Sequence, residues 1–305
     1  MPSRRTVLKS AAVIAATPLV NNSFAQSVNS KIITKTIPSS GASIPVIGVG
    51  TNRYRVNINN AEEMAPYKET LAKFHELGGT LIDTAQSYGN SESVIGSIVT
   101  ELDFGGDFFI STKCDMRGGE TTQEQLTESA ANLQTNVLDL VSIHNMREWQ
   151  TQLPILYEAK AQGKIKHIGV TTSRNFQHKE FGDLMESEEF DFVQLNYSLA
   201  DRAAEQRLLK IAAEKNIAVM VNLPFASGGL FESFKNETLP AWTADFDANS
   251  WAQLFLKYIV SHPAVTCAIP GTRKVKYAID NFSAAIGRLP SSEQRQDIER
   301  LYASL

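Results

Sequence analysis

A chain of 305 residues, 43% of them hydrophobic and 20% charged, carries enough apolar mass for a full globular core. Its formal charge is −4, and no basic stripe interrupts the acidic balance, so a surface built to neutralise nucleic-acid phosphates is excluded. Two cysteines, Cys114 and Cys267, are too few for a disulfide framework and read as single core thiols.

The first residues follow a different pattern. Arg4 and Arg5, then Leu8 and Lys9, precede an apolar run from Ala11 to Val20 and a small-x-small site at Ser23-Phe24-Ala25. That is the order of a secretory signal, and the paired arginines resemble a twin-arginine (Tat) signal. The run is interrupted by Pro18 and is short for a membrane span, so no stable insertion is expected after cleavage. Cutting after Ala25 removes three cations and no anion, taking the formal charge from −4 to −7. The expectation is a signal over residues 1–25, passage through the Tat machinery, and a periplasmic mature domain over residues 26–305. The Tat route carries folded proteins, which suits a protein that must load a cofactor before export.

After the signal, Ser39-Ser40-Gly41 between Lys31–Ile37 and Ala42–Ile44 predicts a hairpin. Short apolar runs then alternate with amphipathic stretches. Strands are predicted over Val46–Gly50, Thr80–Asp83, Phe108–Lys113, Asp139–His144, His167–Thr171, Phe192–Asn196, Ala218–Asn222 and Thr266–Ile269. Helices are predicted over Ala61–Leu77, Glu92–Thr100, Thr122–Thr135, Gln150–Gln162, Phe176–Ser187, Ala203–Lys215, Asn249–Ser261 and Val275–Ala284. Eight strand-then-helix units without a linker predict an α/β fold, a (β/α)8 TIM barrel with an N-terminal β-hairpin. The long break from Pro224 to Ala248, on the C-terminal face, is the natural place for substrate contacts.

Polar residues close successive predicted strands. Asp83 ends the second, with Tyr88 in the loop beyond it; Lys113 ends the third and His144 the fourth. In a barrel these converge on one mouth. A phenol titrates near 10, too high for ready proton exchange at neutrality. A neighbouring ammonium is expected to lower that value, with a carboxylate behind it to keep it charged. Tyr88 would then give a proton to a carbonyl oxygen as hydride reaches the carbon, and take one back in alcohol oxidation.

The segments Leu81-Ile82-Asp83-Thr84-Ala85-Gln86-Ser87-Tyr88-Gly89, Ile110-Ser111-Thr112-Lys113 and Asp139-Leu140-Val141-Ser142-Ile143-His144 resemble the catalytic tetrad of the aldo-keto reductases. The resemblance runs from about Ile44 to Asn281, with Asn90-Ser91-Glu92 and Lys164-Ile165-Lys166-His167-Ile168-Gly169-Val170 also matching. It implies catalysis by Tyr88, Lys113, Asp83 and His144, with His144 orienting the carbonyl oxygen. It also implies a nicotinamide cofactor, NADP(H) before NAD(H), and a small carbonyl or alcohol substrate. By the same likeness, Gly50, Thr51 and Asp83 line the nicotinamide pocket, while Thr171, Thr172 and Gln194 hold the carboxamide. Gly271, Thr272, Arg273 and Lys274 take the pyrophosphate-adenosine end, with Asp280 and Asn281 near the adenine.

Some positions depart from the family pattern. Asn222 stands where many relatives stack an aromatic under the nicotinamide, and Thr172 replaces a frequent Asn. Tyr277 stands where some relatives use Arg against the 2′-phosphate, and Asn52-Arg53 replaces a frequent Trp. Two other readings keep the same residues. One is a nucleotide-binding redox sensor or subunit with little turnover; the other is a cofactor-free barrel lyase or isomerase. No metal is expected, since His75, His144, His167, His178 and His262 show no zinc-type spacing. Gly48-Val49-Gly50 is not a dinucleotide fingerprint, because no third glycine opens a helix. A barrel that buries its own core needs no partner, so a monomer is expected.

Overall fold

Apolar residues at every second position of a short run put one side of a strand into a core. This chain repeats that device around a closed barrel. The structure is a computed structural model, and it describes residues 32–115 and 121–305. The segment read as an export signal lies outside the described residues.

Two strands, β1 (Thr34–Thr36) and β2 (Ser43–Pro45), pair antiparallel with Thr34 opposite Pro45. The turn between them uses Gly41 at φ +74°, a conformation natural to glycine. The barrel strands follow: β3 (Val49–Gly50), β4 (Leu81–Asp83), β5 (Phe109–Cys114), β6 (Leu138–Ile143), β7 (Ile165–Thr171), β8 (Phe192–Asn196), β9 (Ala218–Asn222) and β10 (Cys267–Ala268). Among the described residues they form one eight-stranded sheet in sequence order, parallel throughout. Parallel bridges Ile47–Ala268 and Gly50–Gly271 join its first and last strands and close the ring.

The helices are α1 (Ala61–Glu76), α2 (Ser91–Glu101), α3 (Thr122–Asn132), α4 (Trp149–Ala161), α5 (His178–Ser187), α6 (Leu208–Glu214), α7 (Gly229–Ser233), α8 (Trp251–Val260), α9 (Val275–Ser283) and α10 (Ser292–Ala303). Each predicted helix is present. Two α-helices were not predicted: α10 after the last unit, and the short α7 inside the Pro224–Ala248 break. The predicted helix over Ala203–Lys215 is divided into a 3-10 turn, Ala203–Gln206, and α6. Among the described residues no helix is long and apolar enough to cross a membrane.

The register explains the site. Leu81, Phe109, Leu140, Phe192 and Ala218 pack together low in the barrel, with the His167 ring against Phe109 and Phe192, and Ile37 and Ile44 of the hairpin pack into that interior. Two residues on, the inward positions become Asp83, Ser111, Ser142, Gly169, Gln194 and Met220. Beyond those come Lys113, Thr171, Asn196 and Asn222. On the face turned inward, β4, β5, β6, β8 and β9 therefore run from apolar at the start to polar at the end. The alternate positions, such as Ile82, Val141, Val193 and Val219, meet the helices in the larger outer core. This polarity gradient places the polar site at the C-terminal mouth.

Candidate active site

Asp83 is almost fully enclosed, and its Oδ1 accepts from Lys113 Nζ at 2.7 Å and from Ser111 Oγ at 3.0 Å. Its Oδ2 accepts from Gln194 Nε2 at 3.4 Å. The Lys113 ammonium also donates to Thr84 O at 2.6 Å, so it is held from two sides. Burial pulls the Lys113 value down, but the charges of Asp83 and Tyr88 outweigh it, and lysine stays an ammonium above its ordinary range. That ammonium lies 5.4 Å from the centre of the Tyr88 ring.

The expected effect of Lys113 on Tyr88 is present but does not win. The Lys113 charge is the largest single influence and lowers the phenol, yet burial and the Asp83 charge raise it, and the net direction is upward. Tyr88 in the free protein is thus a retained proton donor and not a ready phenolate. This corrects the expectation that the neighbouring ammonium leaves the tyrosine below its ordinary value.

His144 follows β6 as the first residue of a 3-10 turn and does not belong to the strand. Its ring stands 6.0 Å from that of Tyr88, centre to centre, at 81°. Its Nδ1 lies 3.2 Å from Ser87 Oγ and 3.5 Å from Asp115 Oδ2, and Arg147 Nη1 reaches the same carboxylate oxygen at 3.2 Å. Asp83, Tyr88, Lys113 and His144 all line one cavity of about 630 Å³.

Of the expected cofactor residues, Gly50, Thr171, Gln194, Asn222 and Gly271 line this cavity. Thr51 is turned away: its backbone N–H and Oγ1 both donate to Asp83 O, at 3.0 and 2.8 Å, so it holds the strand end that carries the aspartate. Thr172 is also turned away, its hydroxyl bonded to Gln177 Oε1 at 2.8 Å. Ser173 borders the cavity in its place. A smaller space of about 160 Å³, bordered by Gly50, Asn52, Arg53, Gly271, Thr272 and Arg273, extends the site toward α9. Thr272 is buried, bonded through its Oγ1 to Asn281 Nδ2 at 3.0 Å, so Asn281 steadies the loop. Asp280 Oδ1 accepts from Ser250 Oγ and Gln253 Nε2, both at 2.8 Å, and ties α9 to α8. Arg273 and Lys274 are exposed ahead of α9, and Tyr277 is exposed beneath the Lys276 ammonium at 4.9 Å.

Sequence reasoning missed Asn145, whose positive φ suits an asparagine next to His144. Its N–H donates to Thr171 Oγ1 at 2.9 Å, and its Oδ1 accepts from Ser173 N at 2.9 Å, linking two loops of the cavity wall. It missed Asp115 and Ser87 as partners of His144 as well.

Whether a nicotinamide fits is answered by the walls. Gln194 Oε1 and Asn222 Oδ1 are buried, border the cavity, and have no hydrogen-bond partner among the described residues, so both are acceptors that a ligand amide can satisfy. At Gly271 a Cβ would meet no atom within 4 Å, so the bare backbone there is open to close approach by a nucleotide. Among the described residues no group of His, Cys, Asp and Glu could hold a metal ion.

The model of the aldo/keto reductase family matches residues 46–303, nearly the whole described barrel. The chain belongs to the aldo/keto reductase family. As a member it is an NAD(P)H-dependent oxidoreductase. The methylglyoxal reductase YeaE of Escherichia coli is 28% identical over 266 residues, 84% of this chain and 90% of that one. The NADH-specific methylglyoxal reductase of the same organism is 29% identical over 201 residues, covering 56% of this chain and 60% of its own length. An aldo/keto reductase from Klebsiella pneumoniae, solved with NADP and acetate, superposes with a TM-score of 0.73 at 24% identity, over 89% of this chain and 96% of that one. That likeness shows the fold.

Proposed function

We propose that this reductase uses NADP(H) to reduce a small aldehyde or ketone, with Tyr88 as the general acid. The observation that carries the reading is the ordered contact of Asp83, Lys113 and Tyr88 on the wall of one cavity with His144 opposite. A bound reduced nicotinamide nucleotide supplies the hydride. Gln194 and Asn222 would receive the nicotinamide amide, and the open backbone at Gly271 with Arg273 and Lys274 would receive the phosphates. Tyr88 gives its proton to the carbonyl oxygen, and its raised value keeps that proton in place until negative charge develops there. Lys113 stabilises the phenolate left behind, and Asp83 keeps the lysine charged and placed. His144, steadied by Ser87 and Asp115, orients the oxygen.

Replacing Tyr88 by Phe removes the proton and leaves the ring. Turnover should fall by at least about a thousandfold, within the usual range for a general acid, while NADPH still binds. Retained turnover in Tyr88→Phe would overturn the assignment. The names of the two Escherichia coli relatives make methylglyoxal the first carbonyl to assay.

We propose in addition that residues 1–25 export the folded enzyme to the periplasm by the twin-arginine route. Arg4-Arg5, Leu8, Lys9 and the Ser23-Phe24-Ala25 site support this. Changing both arginines to lysine should hold the precursor in the cytoplasm; unchanged export would sink the proposal.

A further inference from the structure

The tip of the first barrel loop presents a cation that the proton-transfer group does not use. Thr51 to Tyr54 is a tight turn, with Tyr54 N donating to Thr51 O at 2.9 Å and Asn52 and Arg53 at its corners. Both ends are fixed. Thr51 is bonded to Asp83 O, and the buried Tyr54 hydroxyl donates to Thr272 O at 2.8 Å. The Tyr54 ring packs edge-on against Tyr67 at 4.6 Å. A turn held this firmly sets where Arg53 stands, on the wall of the main cavity that also holds Tyr88 and His144.

The charges on that wall do not cancel. Its acidic and basic side chains, apart from Tyr88 and His144, are Asp83, Lys113 and Arg53, and Asp83 is paired with Lys113. Among the described residues the Arg53 guanidinium has neither a carboxylate within ion-pair distance nor a side-chain hydrogen bond. Arg55 adds a second cation close by, its Nε donating to Tyr88 O at 3.2 Å. Behind His144, Asp115 is met by Arg147. A net-acidic chain thus has a net-positive mouth at its proton donor, and such a wall attracts anions and repels cations. The rest of that rim offers amide donors, from Asn52 and Asn145, while the Ser173 hydroxyl donates to Asn145 Oδ1 at 3.0 Å.

We propose that Arg53 is a specificity-determining residue and that the substrate is a carbonyl compound bearing a carboxylate, an oxo acid or an aldehyde acid. This rests on the reductase reading above and names its substrate class. The guanidinium pairs with the carboxylate while the carbonyl oxygen lies at Tyr88 and His144. Hydride from the nucleotide forms the new C–H bond, the Tyr88 proton forms the O–H bond, and the carboxylate leaves unchanged in the hydroxy acid. Arg53 also borders the smaller space beside Gly271 and Arg273, so the same guanidinium chemistry could serve a nucleotide phosphate. The test separates these two anions.

The full chain is assayed with glyoxylate and 4-oxobutanoate, each against the neutral aldehyde of equal length, acetaldehyde and butanal. NADPH affinity is measured in parallel by fluorescence titration. Arg53→Met keeps the stem and removes the charge. The ratio of kcat/KM for acid over neutral aldehyde should fall at least about tenfold, mainly through KM for the acid, as for loss of a hydrogen bond to a charged group. Arg53→Lys should recover part of it. A ratio unchanged in Arg53→Met overturns the proposal, and so does a loss that tracks weakened NADPH binding, which would give Arg53 to the nucleotide. Wild-type protein that reduces the neutral aldehydes and ignores both acids overturns it while leaving the reductase reading intact. Protein that reduces none of them overturns the reductase reading and this proposal with it.

Discussion

Removing the carboxylate of Asp83 would leave the buried Lys113 ammonium, among the described residues, with the Thr84 carbonyl as its hydrogen-bond partner. Breaking a buried pair from one side is costly, so Asp83→Asn should lower unfolding free energy by about 3–5 kcal/mol, read from urea melts. The sign of the pH dependence follows from the raised lysine value. The stabilisation it gives is complete below the ordinary lysine range, about 10.4, and is lost only as pH climbs through the raised folded value. The Tyr88 phenol, also raised, should ionise above the ordinary tyrosine value in the free enzyme. Ultraviolet titration of wild type minus Tyr88→Phe reads this directly. A phenolate present at neutrality would mean that Lys113 dominates after all. The same scale shows where residue-by-residue likeness misleads. Thr171 and Thr172 are successive residues at a strand end, so they face opposite sides, and only Thr171 reaches the cavity. Gly50 and Thr51 divide in the same way. Alternation was readable in the sequence and would have turned both second residues toward the scaffold.

At the scale of elements, the hairpin is more than a decoration on the barrel. Ile37 and Ile44 seal the interior from below, and the Lys35 ammonium donates to the carbonyls of Val260, His262 and Val265, gathering the end of α8 and the approach to β10. Lys35→Met leaves three carbonyls short of a donor and should cost about 1–3 kcal/mol in denaturant melts. Its kcat should hold, because the change lies at the opposite end of the barrel from Tyr88. On the proposed reading, the N-terminus of α9 receives the 2′-phosphate and sets cofactor preference. Arg273→Ala with Lys274→Ala should weaken NADPH by about tenfold and NADH far less, since only the former carries a 2′-phosphate. Strand and helix order was legible because apolar runs and amphipathic stretches alternate without interruption. The last helix was not, although its signal was there: Ser291 and Gln294 form a capping box directly after Pro290, with Ile298 as the buried anchor. It lies past the eighth unit, where a barrel template stops counting. The short α7 carries no side-chain cap and follows the positive-φ residues Ala226 and Ser227, so no periodic pattern announced it.

The whole molecule joins a barrel with an apolar floor and a polar rim to a site whose charges are set by burial. Asp83, Lys113 and His144 were legible because they sit at or just past successive strand ends, where the fold alone brings them together, and Tyr88 because its loop follows Asp83 directly. The partners of His144 were not, because Ser87 and Asp115 stand in loops whose paths no strand pattern fixes. The departures at Thr172 and Asn222 raised the alternative of a barrel that binds nucleotide and turns over little. The two differ in one rate. The most direct measurement is the oxidation of NADPH by the purified protein, followed by absorbance with methylglyoxal present and absent. The account requires saturable, carbonyl-dependent oxidation that Tyr88→Phe abolishes. Tight nucleotide binding with no carbonyl-dependent oxidation across a panel of small aldehydes, ketones and oxo acids would contradict it, and would make the protein a nucleotide-binding barrel that senses and does not reduce.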